Sequence, residues 1–442
     1  MSGSRTSGWA GGVVWAVMAA ILWSGPVRAA GDSVPTYIEC AELFDPVAGS
    51  LVGATTLVVR DGKVESWLKR GRKAPRGADR LISAAGTCVP GFIDLHTHLT
   101  SETSPTSYSD GFRLNAADVA FRAQERARRT LMAGFTTVRD LGDTDLVSIA
   151  LRNAINENRV SGPRIFTSGK SIATTGGHAD PSNGRRQELT GDPGPRDGVV
   201  NSVDEARKAV RQRYKDGSDW IKVTATGGVL SLAKSGMNPQ FTQDELDAVV
   251  QTAKDYGMSV AAHAHGKEGI QRAIRAGVRT IEHGTFMDDE VFALMKAHGT
   301  WYVPTLMAGA FVAEKSKEPG YYPEIVRPKA ALIGPLISQT LSKAYAAGVK
   351  IAFGTDAGVF PHGRNAGEFT LMVKAGMPEV EALRAATIHA AEVLGESAAL
   401  GALTAGHHAD VVVLDGNPLR DIQATGRVRM VIKGGLVEYR RP

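Results

Sequence analysis

The chain is poor in the features that would place it at a glance. Among its 442 residues are two cysteines, Cys40 and Cys88. Two thiolates cannot by themselves build a cysteine-rich zinc site. In an exported protein they could pair, and the sequence does not say whether they lie close enough to bond. No cluster of Lys and Arg of the kind that grips nucleic acid is present, so the formal charge of +5 bears on solubility and excludes a nucleic-acid partner. Arg5 and Arg28 fall in a segment read below as a leader, and without them the charge is +3. Beyond the first thirty residues no apolar run of about 20 residues occurs, which predicts a mature chain with no membrane anchor.

The leader reading rests on the N-terminus. Arg5 is the only charge before an apolar stretch over residues 9–23, and Val27-Arg-Ala29 offers small residues at a cleavage position. This pattern predicts a secretory signal over 1–29 and a periplasmic or secreted protein. No cysteine follows the apolar stretch, which excludes lipoprotein processing.

What is present falls into two rhythms. Residues 36–89 alternate in short apolar runs, with Asp61-Gly62 as a hairpin signal, and residues 409–439 look the same. Both ends are therefore expected to build one small β-sandwich domain from 30–89 and 400–442. Between them, candidate strands at 92–96, 135–139, 164–168, 220–224, 259–263, 280–283, 302–305 and 350–354 alternate with amphipathic runs such as 117–133, 203–214, 243–256 and 380–394. Thr242 and Glu245 have capping-box spacing. Six runs stop at a glycine just before a strand, at Gly134, Gly217, Gly257, Gly277, Gly299 and Gly348. Repeated helix–Gly–strand punctuation over eight strand units predicts an α/β fold with a (β/α)₈ barrel over 90–399. A doubly wound open sheet is the alternative, and no Gly-x-Gly-x-x-Gly follows the first strand to support it. Long segments at 172–201, 225–241 and 306–327 would lie at the C-terminal face as loops that wall a pocket.

Candidate chemistry collects at that face. The run Pro-Gly-Phe-Ile-Asp-Leu-His-Thr-His-Leu over 90–99 ends in His96 and His98, whose i, i+2 spacing on a strand sends both imidazoles to one side. His-x-His alone is common by chance; its company is not. Lys222 interrupts an apolar fourth strand, His263 and His265 end the fifth, His283 the sixth and Asp356 the eighth. All would share one mouth of a barrel, as a transition-metal site requires.

These residues carry a resemblance. Gly-Phe-Thr-Thr-Val-Arg-Asp, Thr-Gly-Gly-His-Ala-Asp, Ile-Lys-Val-Thr, Ala-His-Ala-His-Gly, Ile-Glu-His-Gly and Gly-Thr-Asp-Ala-Gly follow the first motif in order. Together they resemble the amidohydrolase superfamily, more narrowly its exported Xaa-Pro dipeptidase and imidazolonepropionase-like branch, over nearly everything after the leader. Some relatives in that branch release phenylalanine from ochratoxin-type amides. The resemblance implies two divalent metals, zinc by default for a His-rich site. His96, His98 and Asp356 would hold one, His263 and His283 the other, and Lys222, carboxylated by CO₂, would bridge them. His263 is preferred over His265 because its twenty-residue spacing to His283 matches the family pattern. Asp356 would serve as general base and then acid, His178 and His265 would stabilise the oxyanion or bind substrate carboxylate, and Tyr108 is a further substrate contact. His389 is expected to be structural. The implied activity is release of a C-terminal amino acid from small dipeptides or N-acyl amino acids. Hydrolysis of a cyclic amide or lactone is the alternative, and a catalytically dead binding protein would lack Lys222 or Asp356. Barrels of this kind commonly form homo-oligomers.

Overall fold

The computed structural model describes residues 34–442 apart from 69, 70 and 235, together with Gly3. The expected signal over 1–29 thus lies, Gly3 aside, outside the described residues. Alternating β-branched and polar residues at the two ends form the predicted strands. These are β1 (Thr36–Asp45), β2 (Ser50–Leu51), β3 (Thr55–Arg60), β4 (Lys63–Trp67) and β5 (Leu81–Pro90). β13 (Val411–Leu414), β14 (Val428–Lys433) and β15 (Leu436–Arg440) come from the C-terminus, after the barrel strands β6–β12 given below. They run in one hydrogen-bonded path, β15-β14-β13-β5-β1-β3-β4, with β2 on β1. The path curls on itself. Lys63 bridges to His408, and a Cβ on Gly62 would come 3.3 Å from the Gly434 carbonyl, although their strands lie five positions apart in the sheet. Inside the curl Ile38, Leu43, Leu57, Val413 and Ile432 share one core. Cys40 and Cys88 meet there as a disulfide with Cα atoms 5.8 Å apart, both sulfurs shielded from solvent.

Gly91 passes the chain from this sheet into the barrel, pressed so tightly against Thr136 that a side chain there would overlap it. The barrel strands are β6 (Phe92–Thr97), β7 (Phe135–Asp140), β8 (Arg164–Thr167), β9 (Ile221–Thr224), β10 (Val260–Ala264), β11 (Thr280–His283) and β12 (Trp301–Val303). They pair in parallel as β6-β7-β8 and β9-β10-β11-β12. Ile172 joins the two groups, donating to Lys222 O at 2.8 Å and accepting from Thr224 N at 3.0 Å. The eighth segment closes the ring with Ala352 N to Tyr302 O at 3.0 Å and Leu95 N to Phe353 O at 3.0 Å. Its pairing is a bridge and not a full ladder, because Phe353 N leaves the sheet for Ala385 O at 3.1 Å. That carbonyl opens a π-helical turn, Ala385–His389, which splits the predicted 380–394 helix in three.

Helices stop where the glycines said they would: all six have φ between 67° and 97°. Thr242 and Glu245 make the reciprocal capping box. One expectation needs correction: 306–327 is not a plain loop, since Leu306–Lys315 is helical, with Glu368 accepting from Leu306 N and Met307 N at its start. Among the described residues no helix is long and apolar enough to cross a membrane.

Candidate active site

Strand ends place the site. His96 and His98 lie at the end of β6, and a backbone bond from Asp356 N to His96 O (2.7 Å) draws the eighth segment against them. Asp94 on β6 secures the junction. It accepts from Thr355 N (3.0 Å), Thr355 Oγ1 (2.6 Å) and Asn365 Nδ2 (2.8 Å), while burial pushes its carboxyl up to about 6. Asp356 Oδ1 lies 3.2 Å from His98 Nε2 and 3.5 Å from His96 Nε2, and the three ligand-type atoms all fall within 4.8 Å of one another. Lys222 Nζ approaches His96 Nε2 at 3.4 Å.

The other histidines ring this group. His283 packs against His96 with ring centres 5.0 Å apart, against His263 at 4.6 Å and against His265 at 5.1 Å. His178, brought in by the segment after β8, covers His263 at 4.3 Å. Second hydrogen bonds orient the rings: His283 Nδ1 with Thr305 Oγ1 (2.7 Å), His265 Nδ1 with Thr285 Oγ1 (2.8 Å) and His263 Nε2 with Gly227 O (3.1 Å). His283, Thr305 and Asp356 all take positive φ, at 70°, 55° and 59°. Left-handed backbone at three non-glycine residues costs of order 1–3 kcal/mol each and marks a place where geometry outranks stability.

Burial keeps these rings neutral. It lowers His96 and His265 to about 4 and His178 to about 3, and holds His263 and His283 well below the usual range. It also lowers the Lys222 ammonium to about 8. Neutral imidazoles carry a free lone pair, and a neutral amine is nucleophilic toward CO₂. Asp356 behaves oppositely: burial would raise it, but the electrostatic pull of the facing His96 ring and Lys222 and a hydrogen bond with His98 outweigh that and hold its carboxyl below the usual carboxylate value. Its Oδ1 is buried without a hydrogen-bond partner, as is His178 Nδ1. His98 alone is raised, since burial that would lower it is outweighed by the Asp356 carboxylate beside it. A donor set of imidazoles converging on a carboxylate oxygen suits a divalent transition metal.

The group floors a cavity of about 250 Å³ at the C-terminal face. Its upper wall is aliphatic, from Val229 and Leu230 after β9, Val312 on Leu306–Lys315, and Ile333 and Ile337 on Arg327–Ala346. Tyr108 does not line it. Its hydroxyl donates to Leu230 O (3.0 Å), so it ties two loops at the rim. His362 reaches the carbonyls of His98 and Ser101 and braces their loop, and His389 packs at a tilt against Trp301 and does not line the cavity.

Sequence reasoning assigned no role to Glu282 and Arg139, which lie fully buried beneath the site. Glu282 Oε2 meets His96 Nδ1 at 2.8 Å and Oε1 meets Arg139 at 2.8 Å. Burial opposes its charge, yet Arg139 and His96 hold it near 2. Arg139 also donates to Leu95 O (2.7 Å) and lies over the Trp220 ring. The available signal was a charged residue inside each of two apolar strands, Val138-Arg139 and Ile281-Glu282.

Comparison with known proteins agrees with this architecture. The amidohydrolase family profile matches residues 87–437. Ochratoxinase of Aspergillus niger is 33% identical over 436 residues, covering 92% of this chain and 88% of that protein. A solved Xaa-Pro dipeptidase with methionine bound in its active site is 50% identical, with a TM-score of 0.89 over 92% of this chain and all of that one. A prolidase complexed with N-methylphosphonate-L-proline is 34% identical, with a TM-score of 0.84 over the same shares.

Proposed function

Since the chain belongs to the amidohydrolase family and is a hydrolase acting on amide or peptide bonds, we propose that it uses a binuclear metal centre to release a C-terminal amino acid from dipeptides or N-acyl amino acids. The observation that carries this reading is the approach of His96 Nε2, His98 Nε2 and Asp356 Oδ1 within 4.8 Å on the floor of a cavity with aliphatic upper walls. In our reading those three residues hold one zinc and His263 and His283 the other, with carboxylated Lys222 between them. When bound, the two cations supply Lewis acidity that makes water nucleophilic near neutral pH and polarises the substrate carbonyl.

The chain's own groups do the rest. Asp356, ionised and with an unsatisfied oxygen, takes the proton of the attacking water and delivers it to the leaving nitrogen. His178 and His265 point donors at the developing oxyanion or the substrate carboxylate. Glu282 holds His96 through Nδ1, so Nε2 is the nitrogen left for a ligand's role. Aliphatic walls keep bulk water from the reacting bond. The disulfide and the leader-like N-terminus support export.

The test is metal- and bicarbonate-loaded protein with a pooled set of dipeptides and N-acyl amino acids, read for free amino acids by mass spectrometry. Release by the parent, and a loss of at least about 10³-fold in folded Asp356→Asn, are expected. Silence from protein carrying two metals would transfer the assignment to cyclic amides and lactones. Full activity in Asp356→Asn would remove its acid–base role.

A further inference from the structure

The cavity has a neighbour. A second, of about 520 Å³, opens beside it and shares His98, Ser171 and Ala179 with it. The two differ in chemistry. Apart from the histidine, Lys222 and Asp356 group on its floor, the smaller chamber is lined by no charged side chain among the described residues. The larger carries both signs: Arg122, Arg126, Lys170 and Arg185 line it together with Glu102, Asp110, Asp143, Asp145 and Asp197. Arg126 donates to Leu99 O (3.3 Å) and Arg122 pairs with Asp110, so the chamber's cations are spread along its wall.

The position of Asp356 orients a substrate across the two. It lines the aliphatic chamber and not the polar one. In hydrolysis the C–N bond breaks, a C–O bond to water forms, and the water's proton must reach the leaving nitrogen. Under the reading above that proton travels on Asp356, so the leaving amine lies where Asp356 reaches. The acyl half then extends toward the side where the two chambers meet, at His98, Ser171 and Ala179.

Resting on that reading, we infer that the site is bipartite. The released residue carries an uncharged aliphatic side chain and occupies the small chamber, while the acyl half is a polar peptidyl chain longer than one residue that runs into the large one. A charged side chain in the small chamber would be desolvated with no partner, which disfavours it strongly. A polar, mixed-charge groove keeps a peptide backbone and its side chains solvated or paired.

The experiment is a length and charge series on the metal-loaded enzyme, following free C-terminal residue by mass spectrometry. Ala-Leu, Ser-Ala-Leu and Gly-Ser-Ala-Leu test the polar chamber; Ala-Lys and Ala-Glu test the aliphatic one. Expected is a kcat/KM for Gly-Ser-Ala-Leu within tenfold of Ala-Leu or above it, and at least a hundredfold loss for Ala-Lys and Ala-Glu. Ala179→Trp, which adds bulk where the chambers meet, is expected to lower the ratio of tetrapeptide to dipeptide kcat/KM at least tenfold. Three results overturn the inference alone: more than a tenfold loss on lengthening, an unchanged ratio in folded Ala179→Trp, or equal use of Lys and Leu. Absence of release from every peptide overturns the amide-hydrolysis reading beneath it.

Discussion

Glu282 and Arg139 show what single residues contribute below the reacting groups. Two opposite charges with no solvent exposure are held at 2.8 Å, and each has further bonds that offset desolvation. Removing one charge leaves the other buried and unpaired, which costs about 3–5 kcal/mol. Glu282→Gln, nearly the same in volume, is therefore expected to lose stability of that order in urea denaturation. It should also weaken metal binding roughly 10–100-fold, because His96 loses the partner that sets its tautomer. Wild-type stability in that variant would show that Arg139 is satisfied by Leu95 O and Thr280 alone.

Among the elements, the segment after β9 is held from an unexpected direction. Lys329, on Arg327–Ala346, donates to three carbonyls of that segment, Gly228 O (3.2 Å), Ser231 O (2.8 Å) and Ala233 O (2.8 Å). Gly228 in turn sits so close to His178 that a Cβ there would come within 2.2 Å of its ring. One ammonium thus fastens a cavity wall that also presses on a candidate substrate-binding histidine. Lys329→Met retains the stem and removes the donors. Amides of residues 226–234 are expected to exchange at least about tenfold faster in this variant, with barrel-strand amides unchanged and KM raised. Unchanged exchange in that segment would mean that Tyr108 and the local turns suffice to hold it.

At the scale of the whole molecule, two features set how the fold responds to its surroundings. The disulfide spans 48 residues, and closing such a loop in the unfolded chain is worth about 4 kcal/mol in the chain-entropy account. Reduction is expected to lower the denaturant midpoint accordingly, and an unmoved midpoint would deny the bridge a part in stability. The second feature is a set of buried, neutral histidines. His362, lowered to about 4 chiefly by burial, binds no proton in the folded chain at pH 5, whereas the unfolded chain does. The stability tied to its neutral form is intact above pH 6.5 and is lost as pH falls toward 4, the loss reaching roughly 2 kcal/mol by pH 5. The drop in stability between pH 7 and pH 5 should be smaller in His362→Gln than in the parent; equal drops would show that His362 titrates normally.

The sequence by itself determined the order of the barrel segments, the glycines that end helices, and the placing of His96, His98, Lys222, His263, His283 and Asp356 on or just after those segments. Those signals are local: a period of two or 3.6, a cap, a left-handed residue, a motif of adjacent positions. It left open what depends on distance between remote segments. Whether Cys40 met Cys88 was a matter of register between β1 and β5. The π-helical turn at Ala385–His389 arises from a bond to Phe353, thirty-two positions away. The Glu282–Arg139 pair, the grip of Lys329 and the bond from Tyr108 to Leu230 all join residues at least 96 positions apart. Partners that far along the chain leave no pattern in it, and only the closed barrel brings them to contact.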